Sequence, residues 1–335
     1  MLRTLLISLF SFLFVSAGAD AKQRYPKRPI TTTVVWSAGG GTDAANRVIM
    51  AEMSKELGVR INVTNMTGGI SGSIGMSSTL RKRPDGYNLV GLASSNVSAA
   101  VNGGWGEKFE VWYPFIVGSS PDVISVKMDS PYHSLAELIA AAKSAPGSFS
   151  AGAGGLGSNH HLHLMELSKI ADIDISFIPY PGSAPSQTAV ITGEVDFVIT
   201  SMAEQSQLIR GNKLRPLAML HPEAFEMHDG KKIPSAFVDF PELSKHLPIS
   251  QAIGFAVNNQ ASAEVKSQLA SAFKKAMASP VLKDWARQNY YELSGVYGEA
   301  AQQEFARLES LFAWSLEALN ASKVSPETLN IPRPN

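Results

Sequence analysis

The stretch ITTTVVWSAGGGTDAANRVIMAEMSKEL, residues 30–57, predicts how this chain folds. Its first part, up to Trp36, is a β-branched run that is typical of a buried strand. From Asp43 onward, apolar residues recur every four positions, as on one face of an amphipathic helix. Consecutive glycines join the two parts. A strand, a glycine-rich turn and a helix in this order predict the start of an α/β unit.

Strand-like and helical stretches continue to alternate along the chain. A capping box at Ser134 and Glu137 predicts the start of another helix, and residues 262–319 are predicted to be mostly helical. Further strands are predicted at residues 60–64, 87–93, 195–200 and 214–220. This alternation predicts an α/β fold with mostly parallel sheets flanked by helices.

An internal repeat predicts two similarly built lobes. At an offset of 114 residues the chain aligns three landmarks: Gly40-Gly41 with Gly154-Gly155, Met53-Ser54-Lys55 with Leu167-Ser168-Lys169, and Gly68 with Gly182. Chance matching among common residue types is the alternative. Three landmarks that align without a gap favour the repeat.

Composition excludes several classes of protein. The chain has 335 residues, enough for two domains or lobes, and 44% of them are hydrophobic, so a large core is expected. Lys+Arg and Asp+Glu balance at 29 each, which argues against a nucleic-acid partner. Because there is no cysteine, disulfides, thiolate metal sites, a cysteine nucleophile and a lipid-modified N-terminal cysteine are excluded.

The first residues have the pattern of an export signal. Arg3 precedes an apolar run at residues 5–15, and Ala17-Gly18-Ala19 and Ala19-Asp20-Ala21 are both small-x-small cleavage sites. A transmembrane anchor is the alternative, but a membrane span needs about 20 apolar residues. We therefore expect a signal peptide at residues 1–21, cleaved near residues 19–21, and an exported protein that is not a lipoprotein.

The glycine-rich turn at residues 37–43 is the first candidate site. Its glycines let a ligand approach the main chain, and Thr42 or Asp43 could cap the helix that follows. Free amides at a helix start bind anions without a formal positive charge. A turn without a ligand is the alternative, but three consecutive glycines exceed what a turn requires.

Residues 152–159 form the second candidate site. They match the dinucleotide fingerprint, but the acid expected after the next strand is missing, so we predict no cofactor. His160, His161 and His163 follow without a complete ligand set at helical spacing, so we predict no metal. We expect one histidine to face the site and the others to cap, pack or meet solvent.

The predicted strand ends carry polar, uncharged residues. Ser94-Ser95-Asn96, Pro181-Gly182-Ser183-Ala184-Pro185 and Thr200-Ser201 each follow a predicted strand, where α/β folds bind ligands. Asp43 is the main carboxylate in these loops, so we expect a mostly neutral pocket. No catalytic motif is present, which favours binding over catalysis. An exported hydrolase that uses Ser158 with His161 is the alternative.

These motifs also carry a family resemblance. The chain resembles the Bug-type substrate-binding proteins of tripartite tricarboxylate transporters over nearly all of its mature length. The matching residues are Tyr25-Pro26, Arg28-Pro29-Ile30, Ala38-Gly39-Gly40-Gly41-Thr42-Asp43, Pro84-Asp85-Gly86-Tyr87, Ser134-Leu135-Ala136-Glu137-Leu138, Gly157-Ser158 with His161, Pro179-Tyr180, Gly182-Ser183-Ala184-Pro185 and Gly193-Glu194-Val195-Asp196.

The resemblance implies a two-lobed, type II periplasmic-binding-protein fold that closes on its ligand. Lobe 1 would comprise residues 22–120 and 250–335, and lobe 2 residues 121–249. It implies a monomeric periplasmic receptor, not an enzyme, that passes a small carboxylate to integral-membrane transporter subunits. A ligand-binding sensor for a membrane receptor is the alternative. The expected ligand-binding residues are Trp36, Ala38, Gly39, Gly40, Asp43, Ser94, Ser95, Asn96, Gly157, Ser158, Asn159, His161, Tyr180, Gly182, Ser183, Ala184 and Thr200.

Three positions depart from the family pattern. Trp36 and Asn96 stand where other residues are frequent, and Thr200 stands where an acidic residue is common. We therefore expect a cationic or amino-acid ligand to be disfavoured, and a flat or apolar acid to be favoured.

Overall fold

The structure is a computed structural model, which describes residues 25–245 and 251–334. The predicted signal peptide lies outside the described residues. The strands are β1 (Ile30–Val34), β2 (Ile61–Asn65), β3 (Asn88–Ala93), β4 (Trp112–Ser120), β5 (Asp122–Lys127), β6 (Phe149–Gly154), β7 (Ile175–Tyr180), β8 (Phe197–Ser201), β9 (Leu214–Met219), β10 (Phe225–Glu226), β11 (Lys232–Ile233), β12 (Gln251–Asn258) and β13 (Glu292–Leu293). The α-helices are α1 (Gly41–Leu57), α2 (Ser73–Leu80), α3 (Leu135–Ser144), α4 (Asn159–Ala171), α5 (Ser183–Thr192), α6 (Met202–Arg210), α7 (Ala263–Ala278), α8 (Pro280–Gln288) and α9 (Glu299–Ala318).

Two sheets organise these elements. One has six strands in the order β13-β4-β12-β3-β1-β2, the other has five in the order β7-β6-β8-β5-β9, and β10 pairs with β11 separately. The predicted α/β class is therefore confirmed, with two sheets flanked by helices.

The strand pairings are mixed, whereas the sequence predicted mostly parallel sheets. The βαβ units pair β1 with β2 and β6 with β7 in parallel, as expected. However, β12 runs antiparallel to both β3 and β4, and β5 runs antiparallel to β8 and β9. The reason is the chain path: β4 leads across Pro121 into β5 of the other sheet, and the chain returns as β12.

The repeat in the sequence corresponds to one βαβ unit in each sheet. The offset of 114 carries Leu57 and Ile61, the end of α1 and the start of β2, onto Ala171 and Ile175, the end of α4 and the start of β7. The helix starts do not align, because α4 begins only at Asn159. The second glycine-rich turn, residues 155–158, is shorter than the first, residues 35–40, because β6 also ends later in its unit than β1 does.

An aromatic cluster anchors the first sheet beneath its helices. Phe115 on β4 stacks on Phe255 on β12 with ring centroids 4.6 Å apart, and Phe273 on α7 meets both rings edge-on. Such pairs contribute about 0.5–1.5 kcal/mol beyond the area they bury. This packing holds β12 beside β4, and β12 begins at Gln251, which lines the site.

The turns that follow β1 and β3 contact the turns that follow β6, β7 and β8. Ser37 N–H donates to Pro181 O at 3.1 Å, and Ser98 Oγ donates to Gly157 O at 2.6 Å. The two sheets therefore meet through their strand-end loops. Within residues 25–245 and 251–334, no helix is long and apolar enough to cross a membrane.

Candidate functional site

A small cavity lies where the loops of the two sheets meet. Its volume is about 10 Å³, which is room for about one water molecule. The residues that line it are Trp36, Gly40, Gly41, Thr42, Ser95 and Gln251 on the side of the six-stranded sheet, and Gly154, His160, Gly182, Ser183 and Glu204 on the side of the five-stranded sheet.

The N-terminus of α1 points at this cavity. Gly40 is the N-cap residue and has no side chain that could cap the helix. Gly41 N–H instead donates to Glu204 Oε1 at 2.9 Å, across the boundary between the sheets. A Cβ on Gly41 would lie 2.7 Å from the Tyr291 hydroxyl and 2.8 Å from Glu204 Oε1, so only glycine fits here without a shift. The helix start therefore holds a carboxylate in this structure.

Glu204 connects the two sheets through its carboxylate. Ser201 and Glu204 form a capping box at the start of α6, in which Ser201 N–H and Oγ donate to Glu204 Oε2 at 3.0 and 2.8 Å. The other oxygen, Oε1, reaches Gly41, and the side chain is only 3% exposed. The expectation of a mostly neutral pocket is therefore wrong, because α6 places a carboxylate inside it.

A buried histidine pair flanks this carboxylate. Asp122 Oδ2 lies 2.7 Å from Nδ1 of both His160 and His163. Burial would lower the pKa of His160, but Asp122 and then Glu204, whose Oε2 lies 3.6 Å from His160 Nε2, outweigh it and raise that pKa. Burial would raise the pKa of Asp122, but the two histidines hold it well below its usual range. His160 thus lies at the cavity wall, paired with Asp122 behind it. Within the described ranges, no group of three or more His, Cys, Asp or Glu side chains is arranged so that it could hold a metal ion.

Asp43 lies outside the cavity, although the sequence made it the main carboxylate of the site. Its carboxylate accepts from Gly39 N–H at 2.9 Å, from Arg47 Nε at 2.9 Å and from Asn65 Nδ2 at 2.9 Å. Burial raises the pKa of Asp43, but these hydrogen bonds outweigh it and lower that pKa. Asp43 therefore orders the turn from inside the first βαβ unit, while Ala38 and Gly39 are exposed beside it.

The second glycine-rich turn is closed by the protein itself. Ser158 Oγ accepts from His161 N–H at 3.2 Å, and Asn159 N–H donates to Ser95 Oγ at 3.0 Å. Gly157 N–H donates to His161 Nδ1 at 3.1 Å. The start of α4 thus takes its hydrogen-bond partners from its own turn and from the opposite sheet.

The sequence analysis expected His161 to bind the ligand, but its ring lies away from the cavity. His160 lines the cavity instead. The His161 ring stacks on Phe177 with centroids 4.0 Å apart, and burial lowers its pKa to about 4. The rotation between successive helix positions explains the exchange: His160 faces the cavity and His161 the packed side of α4. Because the backbone of His161, and not its ring, contacts Ser158 Oγ, the pair that a hydrolase would need is absent here.

Trp36 and Asn96 form one unit. Trp36 Nε1 donates to Asn96 Oδ1 at 3.2 Å, and Asn96 also accepts from Ala93 N–H and donates to Ser71 O. Asn96 is therefore committed to the wall behind the cavity, where Ser94 is also buried. The Trp36 ring itself lines the cavity and reaches Gly155 of the other sheet.

Two further expected residues point elsewhere. Tyr180 donates its hydroxyl to Glu194 Oε1 at 2.8 Å, on the surface of the five-stranded sheet. Thr200 Oγ1 accepts from Gln187 Nε2 at 2.9 Å and is fully buried beneath α5. Gly182 and Ser183 do line the cavity, whereas Ala184 faces Gly39 at its rim.

Sequence reasoning found part of the cavity and missed the rest. Of the expected residues, the lining includes Trp36, Gly40, Ser95, Gly182 and Ser183. It also includes six residues outside the list of expected ligand-binding residues: Gly41, Thr42 and Gly154, which lie in the two candidate glycine-rich turns, and His160, Glu204 and Gln251. The Ser201-x-x-Glu204 pattern is a capping-box signal that could have pointed to Glu204. Gln251 has no local signal, because only the return of the chain as β12 brings it here.

The chain has the fold of the periplasmic binding proteins. A solved structure of the periplasmic binding protein BugD is 23% identical, with a TM-score of 0.81 over 89% of this chain and 99% of that chain. A Rhodopseudomonas palustris protein, Rpa4515, solved with adipate, is 21% identical, with a TM-score of 0.79 over 89% of this chain and 99% of that chain. Both show the fold.

The family follows from the sequence itself. The model of the tripartite tricarboxylate transporter family receptor matches residues 45–310, so the chain belongs to that family. Protein BugT of Bordetella pertussis is 33% identical over 231 residues, which cover 65% of this chain and 69% of BugT. The expected resemblance is thereby confirmed. The protein is a solute-binding receptor of a transport system, not an enzyme.

Proposed function

We propose that this receptor binds a small carboxylate at the N-terminus of α1, in the periplasm, for the membrane subunits of a tripartite transporter. The observation that carries this proposal is the Gly41 amide, which donates to a carboxylate oxygen at 2.9 Å. That oxygen belongs to Glu204, and its position marks where a ligand carboxylate would lie. Helix N-termini favour anions through their free amides and their dipole.

Relatives support the ligand class. Rpa4515, which shares the fold, was solved with adipate, a dicarboxylate. We propose that this chain uses its own α1 turn in the same chemical role, with Gly40, Gly41 and Thr42 holding the carboxylate. Trp36, Ser95, His160, Gly182 and Ser183 would then contact the rest of the ligand.

We also propose that the receptor works by lobe closure, with lobe 1 at residues 22–120 and 250–335 and lobe 2 at residues 121–249. The distribution of strands supports these boundaries, because the chain changes sheet at Pro121 and again between β9 and β12. Opening about these crossings would separate Gly41 from Glu204 and admit a ligand.

A thermal-shift screen tests the proposal. The mature protein is heated with a panel of small carboxylates and with the amide of each acid. Ligands that bind only the native state stabilise it by about 2.7 kcal/mol at a hundredfold excess over Kd. We expect at least one acid to raise the melting temperature while its amide does not. If no acid shifts the melting temperature, the proposed carboxylate site is wrong.

A further inference from the structure

The carboxylate of Glu204 occupies the anion position of α1 in this structure. Its two oxygens accept hydrogen bonds from different sides of the cavity. Oε1 accepts from Gly41 N–H on the side of the six-stranded sheet, and Oε2 accepts from Ser201 on the side of the five-stranded sheet. A ligand carboxylate that binds the Gly41 amide must displace Oε1 from it. Glu204 can give up that contact and keep its capping box, because Oε2 alone accepts from Ser201.

The charges around the cavity determine whether a displaced Glu204 carboxylate finds a positive partner. No lysine or arginine is among the residues that line this cavity. His160, which lines the cavity, already pairs with Asp122 at 2.7 Å. A displaced Glu204 therefore leaves about one uncompensated negative charge beside the ligand. A dicarboxylate would bring a second carboxylate into this space, and like charges at short range in a buried site repel strongly.

We propose that Glu204 determines ligand specificity, so that the receptor prefers carboxylates that also carry an ammonium group, such as amino acids, over plain dicarboxylates. This inference rests on the carboxylate site at α1 proposed above. The ligand carboxylate accepts from Gly41 N–H, and Glu204 Oε1 turns to accept from the ligand ammonium. The carboxylate of an amino acid then accepts from the amide at the helix start, and its ammonium group donates to the Glu204 carboxylate. Glu204 therefore has a hydrogen-bond partner after it leaves the Gly41 amide.

Two buried polar groups beside Glu204 point to a ligand in the same place. The Tyr291 side chain is 9% exposed and that of Gln251 4%. The Tyr291 hydroxyl, and one polar atom of the Gln251 amide, have no hydrogen-bond partner among the described residues. Tyr291 lies beside Gly41, and Gln251 lines the cavity next to His160. Buried polar groups normally have partners, so these two are available to a polar ligand.

The sequence-based argument against amino acids depended on Thr200. That argument fails, because Thr200 is buried under α5 and bonded to Gln187, away from the cavity. The acid whose absence seemed informative is provided four positions later by Glu204, on the first turn of α6.

The test uses pairs of acids that differ only by an ammonium group. A thermal-shift screen of all twenty L-amino acids, adipate and malate comes first. Calorimetric titration then measures the affinities for three pairs: L-aspartate and succinate, L-glutamate and glutarate, and L-alanine and propionate. Each is measured on the wild type and on Glu204→Gln. Gln keeps the capping box with Ser201, since this motif accepts Gln as well as Glu. Glu194→Gln, an exposed change on the same sheet, is the matched control.

We expect the wild type to bind an amino acid at least about tenfold more tightly than its deaminated partner, since hydrogen bonds between charged groups are the strong ones. Glu204→Gln should lose that preference and bind the dicarboxylates more tightly, and Glu194→Gln should behave as the wild type. A wild type that prefers the deaminated acids would overturn this inference and leave the carboxylate site intact.

Three other outcomes also contradict it. If Glu204→Gln binds both kinds of acid more tightly, Glu204 only competes with the ligand and does not select it. If the variant matches the wild type for every pair, Glu204 does not face the ligand. If neither an amino acid nor a plain acid binds, both this inference and the proposed carboxylate site fail.

Discussion

The two glycine-rich turns begin from the same sequence pattern and end in opposite states. At the first turn, the start of α1 has no side-chain cap, and Gly41 N–H reaches a carboxylate from the other sheet. At the second turn, Ser158 caps α4, and Asn159 N–H donates to Ser95. The repeated βαβ unit thus supplies one helix start that is open to an acceptor and one that the protein has closed.

The difference shows what the N-cap residue does at a helix start. In the first unit the glycines lead directly into α1, and Gly40 at the N-cap has no side chain that could cap the helix. In the second unit, residues 155–158 intervene between β6 and α4 and place a serine at the N-cap. Ser and Thr at an N-cap satisfy the amides that an anion would otherwise bind. We therefore propose that the first turn binds the ligand, while the second contacts the other sheet through Ser95.

The largest expected effect comes from removing the charge that fixes the first turn of α4. Asp122→Asn leaves His160 and His163 without their shared carboxylate in a fully buried place. Breaking a buried charge pair costs about 3–5 kcal/mol. We expect a loss of that size in the free energy of unfolding, measured with urea at pH 7. The exposed Asp196→Asn serves as the control, and equal stability of the two variants would contradict this account of α4.

The next effect concerns the pH dependence of the second turn. The folded protein keeps His161 neutral down to a pKa of about 4, whereas an unfolded histidine takes up its proton near pH 6.5. The unfolded state therefore binds more protons between pH 4 and 6.5, and stability rises with pH across that window, by about 3 kcal/mol in total.

Urea unfolding of the wild type and His161→Gln at a series of pH values measures this contribution. The stability of the variant should rise less steeply between pH 4 and 6.5, while His133→Gln, an exposed change, should keep the wild-type slope. Parallel curves for the wild type and His161→Gln would show that the ring is not buried against Phe177.

A methyl group at the first turn should weaken ligand binding. In Gly41→Ala, the new carbon would stand 2.8 Å from the position of Glu204 Oε1, which marks the carboxylate site. We expect affinity for the best acid to fall by about tenfold to a hundredfold, or ~1.4–2.8 kcal/mol. Gly106→Ala is the matched control, since a Cβ there meets nothing within 4 Å. Titration calorimetry measures the affinity of both variants for this acid. If Gly41→Ala binds it as tightly as the wild type does, the ligand does not bind at the start of α1.

The smallest expected effect is the loss of the α4 cap. Ser158→Ala removes the hydroxyl that accepts from His161 N–H, and such a change costs about 1 kcal/mol of stability. Affinity for the ligand should stay within about twofold, since the cap does not line the cavity. If Ser158→Ala keeps the stability of the wild type but no longer binds the ligand, the second turn, and not the first, binds the ligand.

The sequence was most informative where the chemistry is local. The β-branched run before Trp36, the glycines and the helical spacing after Asp43 predicted the first βαβ unit and the open start of α1. The side chains that complete the cavity come from distant elements, and their directions depend on how those elements pack. Glu204 and Gln251 reach Gly41 and His160 only because the chain crosses between the sheets.

Individual orientations were the least predictable feature. His160 and His161 are neighbours, and the phase of α4 against its sheet decides which ring faces the cavity. Asp43 had the right spacing for a ligand contact, but Arg47 and Asn65 hold its carboxylate inside the unit. Thr200 lies near the end of β8, yet its hydroxyl accepts from Gln187. Such choices depend on tertiary contacts that no short stretch of sequence contains.

The central claim is that the start of α1 binds the ligand and the start of α4 does not. A crystal structure with the acid that gives the largest thermal shift tests it most directly. We predict a ligand carboxylate oxygen ~2.9 Å from Gly41 N, with Glu204 Oε1 displaced and Ser158 Oγ still bonded to His161 N–H. A ligand carboxylate bound to the amides of Asn159 and His160, with Glu204 unmoved on Gly41, would contradict the account.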